Sequence, residues 1–201
     1  KVQRGFDQLI DVLGADHGLL ADVSARLATA LLSLGEWTAA IAAARRAIAR
    51  FTATSGPKGP GVVYARDAIG NALRASGDLA GAIREHTDAS QLGDEIFGPD
   101  NPMAAQLHVS LALALGAGGR RDEAIAQLVR AVDVFEATEF APDVLADAEF
   151  ELAQLLLATD RARAIELAQR ARTRLMAPDL VEATAEARRK IEAWLAAPRR
   201  R

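Results

Sequence analysis

The 201-residue sequence contains no cysteine. That absence removes disulfides, thiolate zinc sites and cysteine nucleophiles together. Aromatic residues make up only 4% of the chain, so a core must be filled largely by aliphatic and small side chains. Neither sign of charge dominates. A formal net charge of −3 supplies no strong field for nucleic acid or for an anionic membrane. No apolar run approaches the ~20 residues that a bilayer-spanning helix needs, and no signal-peptide pattern opens the chain. A cytoplasmic protein is expected, with neither nucleic acid nor membrane among its partners. Segments rich in β-branched residues are few. Alanine, leucine, arginine and glutamate are plentiful and favour helix. The first residue is Lys1, and the chain reads as a piece of something longer.

What the chain has is a period. "GEWTAAIAAARRAI" runs from Gly35 to Ile48, "GDLAGAIREHTDAS" from Gly77 to Ser90, and "GRRDEAIAQLVRAV" from Gly119 to Val132. Their glycines are 42 residues apart, twice. A worn copy, "DRARAIELAQRA", spans Asp160 to Ala171 without the glycine. Ala40, Ala82, Ala124 and Ala164 each have another alanine seven residues on, at Ala47, Ala89, Ala131 and Ala171. Seven residues are about two helical turns, so each pair shares one face and lets a neighbouring helix come close. Upstream of each copy lies a second stripe with spacings of three and four, the mark of an amphipathic helix. The stripes are Leu20, Val23, Leu27, Ala28, Leu31 and Leu34; Val62, Ile69, Gly70 and Leu73; Met103, Leu107, Leu111, Ala112 and Leu115; and Leu145, Ala148, Leu152, Ala153 and Leu156. Each unit is therefore a helix A, a tight turn and a helix B.

The links between units keep the same beat. Gly14, Gly56 and Gly98 are 42 apart, in "LGADHG", "SGPKGPG" and "FGPDNP", and "FAPD" fills the fourth slot. Glycine suits a helix C-terminus and proline the first turn of the next helix. Asp100 or Asn101 is placed to cap the helix that follows. The predicted units cover 18–54, 60–97, 101–138 and a degenerate 142–176. Residues 1–13, with Phe6, Leu9, Ile10 and Leu13 on one stripe, read as the B helix of a truncated preceding unit. Residues 179–197 read as a capping helix with Leu180, Thr184, Ala187, Ile191 and Trp194 on its inner face, and 198–201 as a tail.

The recurring glycine and paired alanines resemble the tetratricopeptide repeat. That family usually repeats every ~34 residues. The 42-residue beat, with Leu13, Gly14, Asp16 and His17 in the first link, is similar to the longer kinesin-light-chain type. The resemblance implies an all-α, right-handed α-solenoid of antiparallel helix pairs closed by a capping helix. It also implies a concave groove, lined by the A helices, that holds a peptide or protein partner. The open positions of the A helices are read as Asp22, Ala25, Thr29 and Leu32; Tyr64, Asp67, Asn71 and Arg74; Gln106, Val109 and Leu113; and Asp147, Phe150 and Gln154. Asn71 and Arg74 suit a peptide backbone or carboxylate, and Tyr64, Val109, Leu113 and Phe150 offer apolar contact. In the family an asparagine in the middle of helix A often contacts the ligand backbone, and Asn71 matches it. Thr29 and Leu113 stand at that position in the adjacent units, which argues against a full carboxylate clamp.

Catalytic chemistry finds little support. His17 matches a structural residue of the repeat link. His86 and His108 have no acidic or histidine partner at ligand spacing along their helices, so no metal is expected. "GPKGPG" and "GAGGRR" lack the GK[ST] ending of a phosphate loop, and no cofactor is expected. This region is read as non-catalytic. Its Ala/Arg-rich long repeats look similar to the C-terminal repeat regions of bacterial serine/threonine protein kinases of myxobacterial type, which implies a regulatory or scaffolding role. A transcription regulator or signalling ATPase is an alternative host. Another alternative is self-association, including through the truncated N-terminal helix.

Overall fold

The computed structural model of the chain describes residues 19–178 and 180–197, with side chains from Val23 onward. The expected B helix at 1–13, the link carrying His17 and the tail at 198–201 lie outside these residues, as do the side chains of Leu20 and Asp22.

The described residues form helices and no strand. Four antiparallel pairs follow one another: α1 (Leu19–Ser33) with α2 (Trp37–Ser55), α3 (Pro60–Ser76) with α4 (Leu79–Phe97), α5 (Pro102–Ala117) with α6 (Arg121–Ala137), and α7 (Pro142–Leu156) with α8 (Arg161–Arg174). Helix α9 (Ala185–Ala196) closes the array. Each helix packs on its chain neighbour, and the A helices α1, α3, α5 and α7 also touch in sequence. The result is an α-solenoid, in which stacking buries the faces that one pair alone would leave open.

The punctuation is local chemistry. Pro60, Pro102 and Pro142 each open an A helix, where a missing N–H costs nothing. Asn101, rather than Asp100, caps α5 by accepting from the Met103 amide at 2.8 Å. Asp78 and Asp160 cap α4 and α8 in the same manner, at 2.8 and 3.0 Å. Gly35, Gly77 and Gly119, in the A–B turns, have φ of +74°, +91° and +77°. These left-handed values are why glycine returns on the beat.

The alanine pairs are the close crossings. Ala40, Ala47, Ala82, Ala89, Ala124, Ala131, Ala164 and Ala171 are all buried, as are Ala28, Gly70, Ala112 and Ala153 on the A helices. One stripe residue departs: Leu34 is 65% exposed, because α1 ends at Ser33 and Leu34 already belongs to the turn. The capping helix is shorter than its sequence face. Leu180 to Thr184 form turns, and only from Ala185 does the chain run as helix, seating Ile191 in the core.

Candidate functional site

An A helix packs against its own B helix and its neighbours, which leaves one stripe open. Tyr64, Gln106 and Asp147 occupy one rung of that stripe, 42 and 41 residues apart. Ala68, Ser110 and Glu151 form the next rung, and Asn71, Leu113 and Gln154 the third. All of these side chains are exposed or half-buried. In the first unit Thr29 is exposed and Ala25 is partly so, whereas Leu32 packs against the core.

The polar members are pre-positioned. Asn71 donates its amide to the Asp67 carboxylate at 3.0 Å, one turn away on α3. Behind Asp67 lies His86 of α4, fully buried, with Nδ1 3.0 Å from Asp67 Oδ1 but not aligned as a hydrogen bond. Gly70 makes room for that ring: a β-carbon there would sit 2.6 Å from it. Tyr64 tilts against Phe97 at 6.0 Å between centroids, and partial burial pushes its phenol pKa up. Arg74 stands in the last turn of α3. Gln106 and Leu113 are half-buried, Val109 leans on the core, and Gln154 reaches back to the Phe150 carbonyl at 3.4 Å.

Phe150 requires a correction. Expected among the open groove residues, it is only 5% exposed. Trp194 of α9 packs edge-on against it at 5.6 Å, and Lys190 Nζ lies 5.5 Å from its ring centroid. The capping helix takes the apolar contact that Phe150 was expected to offer a partner.

The histidines do have acidic neighbours, but on other helices. His108 on α5 sits 2.7 Å from the Gln127 side-chain amide on α6 and 3.1 Å from Asp94 on α4. Asp94 also accepts from Arg130 of α6 at 3.0 Å. The same joint recurs one unit on. Glu149 on α7 is fully buried and accepts from Arg170 and Arg174 of α8, and both arginines also reach Glu136 of α6. One unit earlier, Arg66 of α3 donates to Glu85 and Asp88 of α4, at 2.9 and 3.1 Å. Arg66, His108 and Glu149 are in register, and so are Asp88, Arg130 and Arg170. Polar groups thus recur at one address with different residues, and at the last two junctions between units they join consecutive B helices. Burial holds the Glu149 carboxyl above its ordinary pKa against the opposing pull of Arg174, and lowers that of Arg170, which Arg174 also repels. The partners of these joints lie on different helices, so spacing along one helix does not show them, whereas the 42-residue register does.

Surface hollows lie along α8, one beside Asp160, Arg163, Glu166 and Arg170, another where Glu136, Glu139 and Arg174 meet. Their arginines Arg170 and Arg174 are already engaged by Glu136 and Glu149. Among the described residues no group of three acidic, histidine or cysteine side chains is arranged to hold a metal ion, and no helix is long and apolar enough to cross a membrane.

The sequence profile described as "Tetratricopeptide repeat" matches residues 19–92 and 63–137, more than half of the chain. The chain belongs to the tetratricopeptide repeat family. Solved tetratricopeptide structures share its fold at low identity. A putative kinesin light chain of Podosopora anserina with nearly identical TPR-like repeats has a TM-score of 0.69 at 18% identity, with 90% of this chain and 99% of that one covered. BtubC (BKLC) from P. vanneervenii has a TM-score of 0.71 at 17% identity, covering 98% and 91%. A Rap protein complexed with Competence and Sporulation Factor has a TM-score of 0.68 at 17% identity, covering 77% of this chain and 42% of that one. No curated protein matches the sequence. In this array each A helix keeps one exposed or half-buried stripe, and the outer faces of the B helices are exposed as well.

Proposed function

We propose that this tetratricopeptide array is a non-catalytic interaction module that holds a segment of another polypeptide across the open stripe of α3, α5 and α7. The observation that carries this reading is the ladder of rungs. Side chains of mixed chemistry recur at one address on three neighbouring helices, exposed or half-buried. Asn71 and Arg74 would meet backbone or carboxylate groups, Tyr64 and Leu113 would make apolar contact, and Gln106 and Gln154 would add hydrogen bonds. The Rap structure with its bound factor supports the reading by analogy of fold. The finer expectation is a regulatory or scaffolding part of a bacterial signalling protein such as a serine/threonine protein kinase. It rests on the style of the repeats, and sequencing the gene upstream of Lys1 tests it by the presence of a kinase glycine-rich loop.

The test of the module itself is affinity capture of a partner with the chain, compared with an Asn71→Ala, Arg74→Ala variant. The variant is expected to lose the partner while keeping its helical content and melting temperature. Undiminished capture would move the binding surface away from this stripe.

A further inference from the structure

The open stripe is not uniform along the array. On α5 its members Gln106, Ser110 and Leu113 carry no charge. On α7 the stripe carries Asp143, Asp147 and Glu151, four residues apart and therefore one turn above another. Asp147 is exposed and its two neighbours are half-buried. On the same rung as Glu151, the first helix presents Arg26, exposed, and α3 ends in Arg74. The face is therefore mixed in charge at α3, where Asp67 offsets Arg74, uncharged at α5 and anionic at α7.

Three carboxylates in a row on one helix repel one another. Asp147 feels this: although its side chain reaches solvent, partial desolvation of its carboxylate first, and then Asp143 and Glu151, hold it above the ordinary range. Lys190 of the capping helix faces the row and pulls the other way without cancelling the effect. Like charges at this spacing cost a helix stability, and that cost is relieved when a cation docks against them. No such relief is available from the neighbouring A helix, whose stripe is uncharged.

We infer that the occupant of this face is a polypeptide segment whose one end carries two or more lysine or arginine residues, seated on α7, with an apolar side chain beside Leu113. The inference rests on the groove reading above and assigns the chemical class of its partner. Packed helices lie about 8–10 Å apart, and an extended chain advances about 3.3 Å per residue. The basic residues should therefore stand about three positions from the apolar anchor. Charge complementarity of this kind favours correct partners and speeds encounter.

A random dodecapeptide library displayed on phage and selected on the immobilised chain tests the class without presupposing a sequence. Enrichment of lysine and arginine toward one end, about three positions from an apolar residue, is expected. A selected peptide, synthesised with a fluorescent label and read by polarisation, should bind an Asp147→Asn, Glu151→Gln variant roughly tenfold more weakly. Its affinity for the parent should fall with added salt. The variant's melting temperature should be unchanged or raised, so weakened binding cannot be blamed on unfolding. Peptides that are acidic or uncharged, yet lose affinity for the Asn71→Ala, Arg74→Ala variant, would overturn the assignment of a basic partner and leave the groove reading standing. Selected peptides indifferent to both variants, or no selection above background, would overturn both.

Discussion

The Asp94 carboxylate on α4 accepts the Arg130 guanidinium of α6 at 3.0 Å, joining consecutive B helices across the edge of α5. One period later Glu136 accepts Arg170 in the same place, with the fully buried Glu149 beneath. Breaking a buried charge pair from one side leaves its partner uncompensated and costs about 3–5 kcal/mol. Arg170→Met with Arg174→Met strips Glu149 of both its cations and should lower the unfolding free energy by about that amount. Glu149→Gln, which keeps a hydrogen-bonding group, should cost less. Urea unfolding followed by circular dichroism measures both, and equal losses would remove the buried charge as the cause.

The alanine crossings give a second prediction. Ala124 is fully buried. Ala124→Leu overfills the crossing and should cost about 1–3 kcal/mol, typical of added volume in a packed core. Thermal unfolding at matched concentration reads it, and an unchanged transition would contradict the assigned face.

A third prediction separates backbone strain from crowding. A β-carbon at Gly77 would meet nothing within 4 Å, yet its φ is +91°. Gly77→Ala should therefore destabilise through the backbone alone, by about 1–2 kcal/mol, and Gly77→Asn should recover part of the loss because asparagine tolerates the left-handed region. Gly70→Ala should destabilise for the opposite reason: its β-carbon would sit 2.6 Å from the His86 ring, in a helix of ordinary handedness. Asparagine at position 70 should make matters worse, so the order of alanine and asparagine variants reverses between the two sites.

The acidic row gives a prediction in pH. The folded-state pKa of Asp147 lies above its ordinary value of 3.8, through partial desolvation of a side chain that still reaches solvent and then through Asp143 and Glu151. The folded chain therefore takes up this proton more readily than the unfolded chain does. The ionised group costs stability above the folded pKa, and that cost fades as pH falls through it. Asp147→Asn should accordingly be more stable than the parent at neutral pH, by a few tenths of a kcal/mol for an exposed site with two like-charged neighbours. The difference should vanish in acid. Paired urea titrations at neutral and acidic pH supply the comparison, and a variant less stable at neutral pH would refute the repulsion.

Much of the architecture was readable from one strand of information, because its causes are local and periodic. A glycine forced to positive φ, a proline at a first turn, and an alanine where two helices nearly touch are each demanded by a few neighbouring residues. The 42-residue beat shows them together. The open stripe on α3 and α5 followed from the same reasoning, since subtracting the packing residues of an amphipathic helix leaves its outer face.

What the sequence by itself determined is therefore the repeat, its helix pairs and the rungs of the ladder. Tertiary structure alone decided which of those rungs stay open and which polar groups meet. Phe150 left the open face because Trp194, 44 residues onward, arrived against it. His86 found Asp67, and His108 found Asp94 and Gln127, on other helices. Periodicity reports a residue's direction from its own helix axis, whereas burial depends on what comes to meet it, and that is settled only when the chain has stacked.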